Sequence, residues 1–112
     1  MAHPIQTTQE RGDTTVAQLA GSLTVTNAPD LRTGLLDVIK TNKPKVLALN
    51  LAEVDFIDSS ALGVFVEARR QMIASDGTVT FTNVNDDILG LMRIMNLNNL
   101  FDFVDDIGEV IG

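Results

Sequence analysis

The stretch Asp55-Phe56-Ile57-Asp58-Ser59-Ser60-Ala61-Leu62-Gly63 joins a predicted strand to a predicted helix, and it decides the fold of this chain. The run before it, residues 46–51, is almost wholly apolar, which is typical of a central strand covered on both faces. A helix is predicted to begin at Ser59 or Ser60 and to be apolar in its first turns. The junction therefore presents two hydroxyls and two carboxylates at a helix N-terminus, where unpaired N–H groups and the helix dipole favour a phosphate.

Alternating strand and helix patterns extend from this junction towards both ends of the chain. The predicted elements are strands over residues 5–10 and 14–20, a helix over about 27–42, a strand over 46–51, a helix from 59 or 60 to about 75, a strand over 78–82, a helix after 85, and a strand over 100–104. The second strand is expected to end at Gly21, with residues 22–25 in a loop. Residues 105–112 fit either one more helical turn or a frayed end.

The order β-β-α-β-α-β-α-β predicts an α/β fold. We expect a mixed, mostly parallel sheet of four to five strands, with three to four helices packed on it. At 112 residues, the chain has the length of one domain with a single core. In the second helix, Leu62, Phe65 and Val66 are predicted core residues, and Gly63 is expected to permit a close backbone approach. Thr26 or Asn27 is predicted to cap the first helix.

The composition excludes several kinds of chemistry. The chain has no cysteine, which removes disulfides and thiolate metal sites and fits a reducing cytoplasm. Its one histidine, His3, lies near the N-terminus, so no imidazole base or catalytic triad is expected. No glycine-rich phosphate loop with its lysine is present, which argues against an ATPase. No cofactor is predicted.

The charge balance points to a protein partner rather than to nucleic acid or a membrane. With 8 basic and 15 acidic side chains, the net charge is −7 and no basic stripe is present, so direct binding of nucleic acid is not expected. Apolar runs are far shorter than the roughly 20 residues of a membrane span, and the N-terminus has no apolar signal region. We therefore predict a cytoplasmic protein without a membrane segment.

The acidic residues leave simpler alternatives open. Asp58-Ser59-Ser60 could be an ordinary helix cap, since Asp and Ser are favoured there and each contributes about 1 kcal/mol. A hydrolase that uses Asp55 and Asp58 as paired carboxylates is a weaker alternative. The pairs Asp86-Asp87 and Asp105-Asp106 are interpreted as a helix start and a solvated acidic cluster rather than as metal ligands, and no metal site is predicted.

The stretch from Asp55 to Gly63, preceded by Val46-Leu47-Ala48-Leu49-Asn50-Leu51, closely resembles the signature of STAS domains, and in particular that of bacterial anti-sigma factor antagonists. The resemblance covers almost the whole chain. Gly21-Ser22-Leu23 lies where the family has the loop before its first helix, and residues 91–104 resemble its third helix, short loop and following strand. The resemblance implies the STAS fold for residues 1–112.

The resemblance also implies a phosphorylation switch. In such antagonists, the serine after the motif aspartate is phosphorylated by an anti-sigma factor that is a serine kinase with a histidine-kinase-like ATPase fold. Ser59 holds that position here, with Ser60 as the fallback acceptor. The unphosphorylated antagonist binds the anti-sigma factor and frees the sigma factor, the phosphorylated form is released, and a metal-dependent serine phosphatase resets it. The chain is thus expected to be a substrate and binding partner, not an enzyme.

The expected partner-binding residues surround this serine. They are Asp55, Asp58, Ser59, Ser60, Ser22 and Thr24. Sporulation-type members of the family carry acidic residues where this chain has Ser22 and Thr24. An alternative within the same resemblance is a STAS interaction module in a different phospho-signalling pathway or in a transport complex.

Overall fold

The computed structural model of the protein describes residues 3–106 and residue 108. Within this part of the chain, five strands and three helices follow the predicted order, which confirms the fold class. Their bounds are β1 Ile5–Arg11, β2 Thr14–Leu23, α1 Ala28–Asn42, β3 Val46–Ile57, α2 Ser59–Ala74, β4 Thr78–Thr82, α3 Asp86–Ile94 and β5 Asp102–Val104. The choice between a further helical turn and a frayed end over residues 105–112 falls largely outside the described residues.

The strands form one sheet in the order β1-β2-β3-β4-β5. β1 and β2 are an antiparallel hairpin, and every later neighbour is parallel. One helix joins each parallel pair, because parallel neighbours need a crossover connection. The sheet is therefore mixed and mostly parallel, as predicted, and the carboxyl ends of β2 and β3 lie side by side.

Across the described residues, one hydrophobic cluster joins the sheet to the buried faces of all three helices. Leu47 and Leu49 of β3 enter it with the two-residue period of a strand. Leu62 and Phe65 of α2 are buried in it, as predicted. Val66 is only half-buried, because it packs against the cluster from its edge. Because the first turns of α2 are buried against the sheet, the N-terminus of this helix is held in a fixed position.

An aromatic group forms one part of this core. The ring of Phe81 in β4 is fully buried and contacts Phe65, Phe101 and Phe103, with ring centroids 5.1, 4.8 and 5.6 Å away. The first two contacts are edge-to-face and the third is stacked, which are the favoured arrangements for aromatic pairs. Phe81 therefore ties α2 to the last strand.

β2 and β3 are both longer than predicted, and the predicted end of β2 at Gly21 is wrong. Gly21 has a positive φ of 86°, and the pairing register shifts beside it, but Ser22 and Leu23 resume pairing with Phe56 and Ile57. The glycine thus marks an irregularity within the strand pair rather than a turn. Residues 22 and 23, which the sequence assigned to a loop, belong to the sheet.

The added length forms a two-stranded extension of the sheet, which we define as residues 20–23 of β2 and 53–57 of β3. β4 pairs with β3 only as far as Asn50, and β1 pairs with β2 only as far as Leu19. The extension therefore projects past the other strands. Leu23, Val54 and Ile57 are buried and hold it to the core.

One local prediction on the helices is wrong, and another is confirmed only for the position of the residue. Gly63 is exposed, and a Cβ atom built on it would meet nothing within 4 Å, so it permits no close approach within the described chain. Asn27 occupies the N-cap position of α1, but its side chain makes no capping hydrogen bond. Its amide instead accepts from Thr24 N–H at 2.9 Å and donates to the Ser22 carbonyl at 2.9 Å, so it braces the loop before the helix.

A two-pronged ion pair joins the outer faces of α1 and α2. Arg32 donates from Nε and Nη2 to the two carboxylate oxygens of Glu67, at 2.7 and 2.8 Å. The hydrogen bond from Arg32 is the main cause that holds the pKa of Glu67 below its ordinary value, and the same bond raises the pKa of Arg32. Both side chains remain partly in contact with solvent, so the pair aligns the helices more than it stabilises them.

Candidate functional site

The predicted site residues meet where the two-stranded extension ends and α2 begins. Asp58 stands between the last residue of β3 and the first residue of α2, and its N–H donates to the Leu23 carbonyl at 3.0 Å. This bond joins the ends of β2 and β3 directly below the helix start. The loop after β2, which carries Thr24, is thereby placed next to Ser59.

Asp58 is the N-cap of α2. One carboxylate oxygen, Oδ1, accepts from the N–H groups of Ser60 and Ala61 at 2.8 and 3.3 Å. The other, Oδ2, accepts from Val25 N–H at 3.0 Å. One side chain therefore satisfies two free donors of the helix and also anchors the loop after β2. In the described part of the chain, no hydrogen bond links Asp58 to the Ser59 hydroxyl.

This arrangement corrects the expectation that N–H groups beneath Ser59 are free to hold a phosphate. The N–H groups of Ser60 and Ala61 are bound by the Asp58 side chain, and that of Leu62 donates to the Asp58 carbonyl at 3.2 Å. The sequence could not show this, because the same aspartate that suits a cap could also have pointed away. A phosphate on Ser59 would therefore meet a carboxylate rather than a set of open donors.

Asp55 and Ser22 form the second contact of the site. The Ser22 hydroxyl donates to Asp55 Oδ1 at 2.8 Å, and both side chains are exposed. Thr24 is half-buried, and its hydroxyl accepts from Thr26 N–H at 3.3 Å. The structure thus places Ser22 against Asp55, and it places Thr24 in the loop held by Asp58. The two aspartates bind different donors.

Ser59 is exposed at the first position of α2, and across the described residues its hydroxyl takes part in no hydrogen bond. Ser60 is half-buried, and its N–H is bound to Asp58. Ser59 is thus the more accessible of the two hydroxyls to an enzyme acting from outside. Both oxygens of the Asp58 carboxylate accept backbone donors, so Asp58 is poorly placed to act as a base for a neighbouring hydroxyl.

Two exposed apolar side chains beside the site were not indicated by the sequence. Phe56 is 53% exposed and pairs with Ser22 along the extension, and Val25 is 69% exposed next to the loop anchor. One feature of the sequence could have indicated the exposure of Phe56. The apolar residues Val54 and Ile57 are three positions apart, which breaks the two-residue period of a strand, and both are buried in the structure. That irregularity turns Phe56 outward.

Among residues 3–106 and 108, no group of three or more His, Cys, Asp or Glu side chains is placed to hold a metal ion. No helix in the described part of the chain has the length and apolar character needed to cross a membrane.

The sequence and the fold agree with one family of known proteins. The sequence profile of the STAS domain matches residues 6–110. Because the match covers nearly the whole sequence, this chain belongs to the STAS domain family.

The individual relatives described next share less than 30% sequence identity with this chain. The anti-sigma-B factor antagonist of Listeria monocytogenes is 28% identical over 94 residues, which are 84% of this chain and 82% of that protein. An anti-sigma-factor antagonist (STAS) domain protein from Planctomyces limnophilus has a similar structure, with a TM-score of 0.85 over 94% of this chain and 93% of that one, at 14% identity.

The anti-sigma factor antagonist SpoIIAA has been solved in two forms, and both are similar to this chain. The unphosphorylated form has a TM-score of 0.70 at 19% identity, covering 93% of each chain. The phosphorylated form, from Bacillus, has a TM-score of 0.68 at 18% identity, covering 93% of this chain and 96% of that one. These likenesses establish the fold.

Proposed function

We propose that this chain is an anti-sigma factor antagonist whose binding is switched off by phosphorylation at Ser59. The observation that carries the proposal is the exposed Ser59 hydroxyl, free of hydrogen bonds across the described residues, directly after the cap Asp58. Membership of the STAS domain family and a relative named as an anti-sigma-B factor antagonist support it. The proposed partner is an anti-sigma factor with serine kinase activity, and a metal-dependent serine phosphatase reverses the modification.

The proposed contact surface combines polar and apolar groups. The side chains of Ser22, Asp55 and Ser59 are exposed around the helix start, and Phe56 and Val25 add apolar area beside them. Aromatic side chains at the centre of an interface often contribute much of its affinity. Phe56 is therefore the proposed anchor, and the exposed polar groups around it give the surface its specificity.

Phosphorylation acts on this surface through charge and bulk. It adds roughly −1.5 to −2 charges at pH 7. Since Asp58 already uses the nearby helix N–H groups, the phosphate points into the interface beside two existing carboxylates. A loss of about 1.4 kcal/mol in binding reduces the affinity tenfold, so local repulsion is sufficient. The phosphorylated and unphosphorylated forms of SpoIIAA, which match this chain almost equally, support a switch without refolding.

The acceptor is tested by incubating the protein with ATP and candidate partner kinases, then locating phosphate by mass spectrometry. We expect modification of the unchanged chain and of Ser60→Ala, and none of Ser59→Ala. Because the Ser59 side chain makes no hydrogen bond in the described chain, Ser59→Ala should change the unfolding free energy by less than about 0.5 kcal/mol. Phosphate found on Ser60 alone would contradict the assignment.

The switch is tested by measuring the affinity for the same anti-sigma factor. Ser59→Ala should bind persistently in the presence of ATP, whereas Ser59→Asp should bind at least about tenfold more weakly. Thr33→Asp, at an exposed position of α1 outside the proposed contact surface, serves as a control for added charge and should leave the affinity nearly unchanged. Equal affinity of Ser59→Asp and the unchanged protein would refute the charge mechanism. In a separate measurement, release of a sigma factor from its complex with the anti-sigma factor would identify the pathway.

A further inference from the structure

A groove lies at the end of α2 remote from Ser59, between the C-terminal ends of α1 and α2. Its volume is about 700 Å³, within the roughly 300–1,000 Å³ typical of sites for small molecules. The side chains of Leu36, Ile39 and Ala74 form its apolar part, together with Pro44, which precedes β3. α2 has 16 residues and so is about 24 Å long, which separates the groove from the phosphorylation site.

Lysines surround this groove. Lys40, Lys43 and Lys45 all line it, and they are the only three lysines in the sequence. All three are exposed, and none of them is in an ion pair within the described residues, where the pair found is Arg32–Glu67. In a protein of net charge −7, this gathers three unpaired cations around one apolar depression.

The local backbone does not cancel these charges. α1 and α2 both end at the groove, and the C-terminus of each helix carries roughly half a negative charge. The two helix ends together therefore offset only about one of the three positive charges. Several of the terminal carbonyls are also satisfied: Lys43 N–H donates to Ile39 O at 3.1 Å, and the Ser75 hydroxyl donates to Gln71 O and Met72 O. Asp13 lies beside Lys45, whose N–H donates to the Asp13 carbonyl at 2.7 Å, and Asp37 and Asp76 are close in sequence, but none of the three lines the groove.

We propose that this groove binds a small amphiphilic anion, with an apolar body against Leu36, Ile39 and Ala74 and a carboxylate or phosphate group among the lysines. A concave groove of this volume can enclose most of a small molecule, which a flat surface cannot do. The net charge of −7 repels an anionic membrane or an acidic protein as a whole, whereas a small anion meets only the local field of the lysines. The site is independent of the phosphorylation switch.

The test is a titration of the full chain, labelled with ¹⁵N, with decanoate and with decyl phosphate below their micelle concentrations. We expect saturable shifts of the amide signals around Ile39, Lys43 and Ser75, weaker binding as salt is raised, and no comparable binding of decyltrimethylammonium. The two anionic probes show which head group the lysines prefer. If no saturable binding is seen with either, the proposal is wrong.

Matched variants separate the groove from general charge. Replacing all three groove lysines by Gln should weaken binding by about tenfold. Replacing Arg11, Arg70 and Arg93 by Gln removes the same charge from exposed positions outside the groove and should leave the affinity nearly unchanged. Ala74→Glu, at an exposed position, should abolish binding by filling the groove with an anion. Circular dichroism confirms that each variant is folded.

Three results would overturn the proposal. An equal loss of affinity in the arginine variant would show non-specific attraction. Binding to phosphatidylglycerol vesicles, without binding to the monomeric probes, would reassign the lysines to a membrane surface. A change in oligomeric state caused by the lysine substitutions, again without probe binding, would make the groove a contact between copies of the chain.

Discussion

The hydroxyl of Ser22 donates a 2.8 Å hydrogen bond to Asp55 across the two-stranded extension. In this bond the hydroxyl at position 22 donates and the carboxylate at position 55 accepts, so an acidic residue at position 22 would replace a donor by a second acceptor. The bond also accounts for the hydroxyl found where the family resemblance led us to expect an acidic residue. The negative charge at this edge of the site comes from Asp55 on β3 rather than from the end of β2.

Introducing the acidic residue at position 22 should therefore destabilise the extension. Ser22→Asp replaces the hydrogen bond to Asp55 by a contact between two carboxylates, and it should lower the unfolding free energy by up to about 1 kcal/mol, the size of a side-chain pair interaction across strands. Asp55→Asn should restore most of the loss in the double variant. The measurement is a double-mutant cycle by urea denaturation, with Ser22→Asn as the uncharged control. Equal stability of Ser22→Asp and the unchanged protein would contradict the proposed pairing.

The double use of the Asp58 carboxylate predicts a graded series of variants. Asp58→Ala removes the helix cap and the anchor to Val25, which should cost about 1–3 kcal/mol in unfolding free energy. Asp58→Asn keeps an oxygen for the cap but turns an amide towards the Val25 N–H, so its loss should be intermediate. Denaturation gives the totals, and hydrogen exchange at Val25 and Ser60 separates the two parts. If Asn were as destabilising as Ala, the cap would contribute little.

The Arg32–Glu67 pair predicts a dependence of stability on pH. Because the hydrogen bond from Arg32 lowers the pKa of Glu67 in the folded protein, the carboxylate stabilises the fold at any pH above its unfolded-state pKa. That contribution is lost as the pH falls through the lower, folded-state pKa. The difference in stability between the unchanged protein and Glu67→Gln should thus be present at neutral pH and vanish in acid. High salt should also reduce it, since both groups are at the surface.

Two phenylalanines should behave in opposite ways. Phe81→Ala removes the residue that contacts three other rings, and it should cost about 3–5 kcal/mol in unfolding free energy. Phe56→Ala, at a side chain that is 53% exposed, should change stability by less than about 0.5 kcal/mol but weaken the anti-sigma factor complex. Thermal denaturation and affinity measurements on both variants distinguish the roles. A large loss of stability in Phe56→Ala would show that this ring supports the fold instead.

The features predicted best from the sequence are those that depend on neighbouring residues only. The strand Thr78–Thr82 has the predicted bounds, and α2 begins at Ser59, one of its two predicted starts, because periodicity and helix-start preferences are local properties. β2 was predicted too short because Gly21 and Ser22 look like a turn when their partner strand is unknown. β3 was predicted too short because the exposed residues beyond position 51 interrupt its apolar run.

Contacts between distant parts of the chain account for the rest. The anchor from Asp58 to Val25 and the bond from Ser22 to Asp55 each join residues 33 positions apart, and no local pattern records such a pair. The same holds for the groove. Leu36 and Ile39 follow the helical period of a core face, and only the packed helices show that they line a depression beside the lysines.

The projection of the two-stranded extension beyond the rest of the sheet has an evolutionary consequence. Leu23, Val54 and Ile57 attach it to the core, while the remaining side chains of residues 53–57 face outward. Substitutions at these outward positions can alter recognition with little penalty in folding. After gene duplication, a copy of this domain could therefore acquire a new partner by changes confined to one projecting edge.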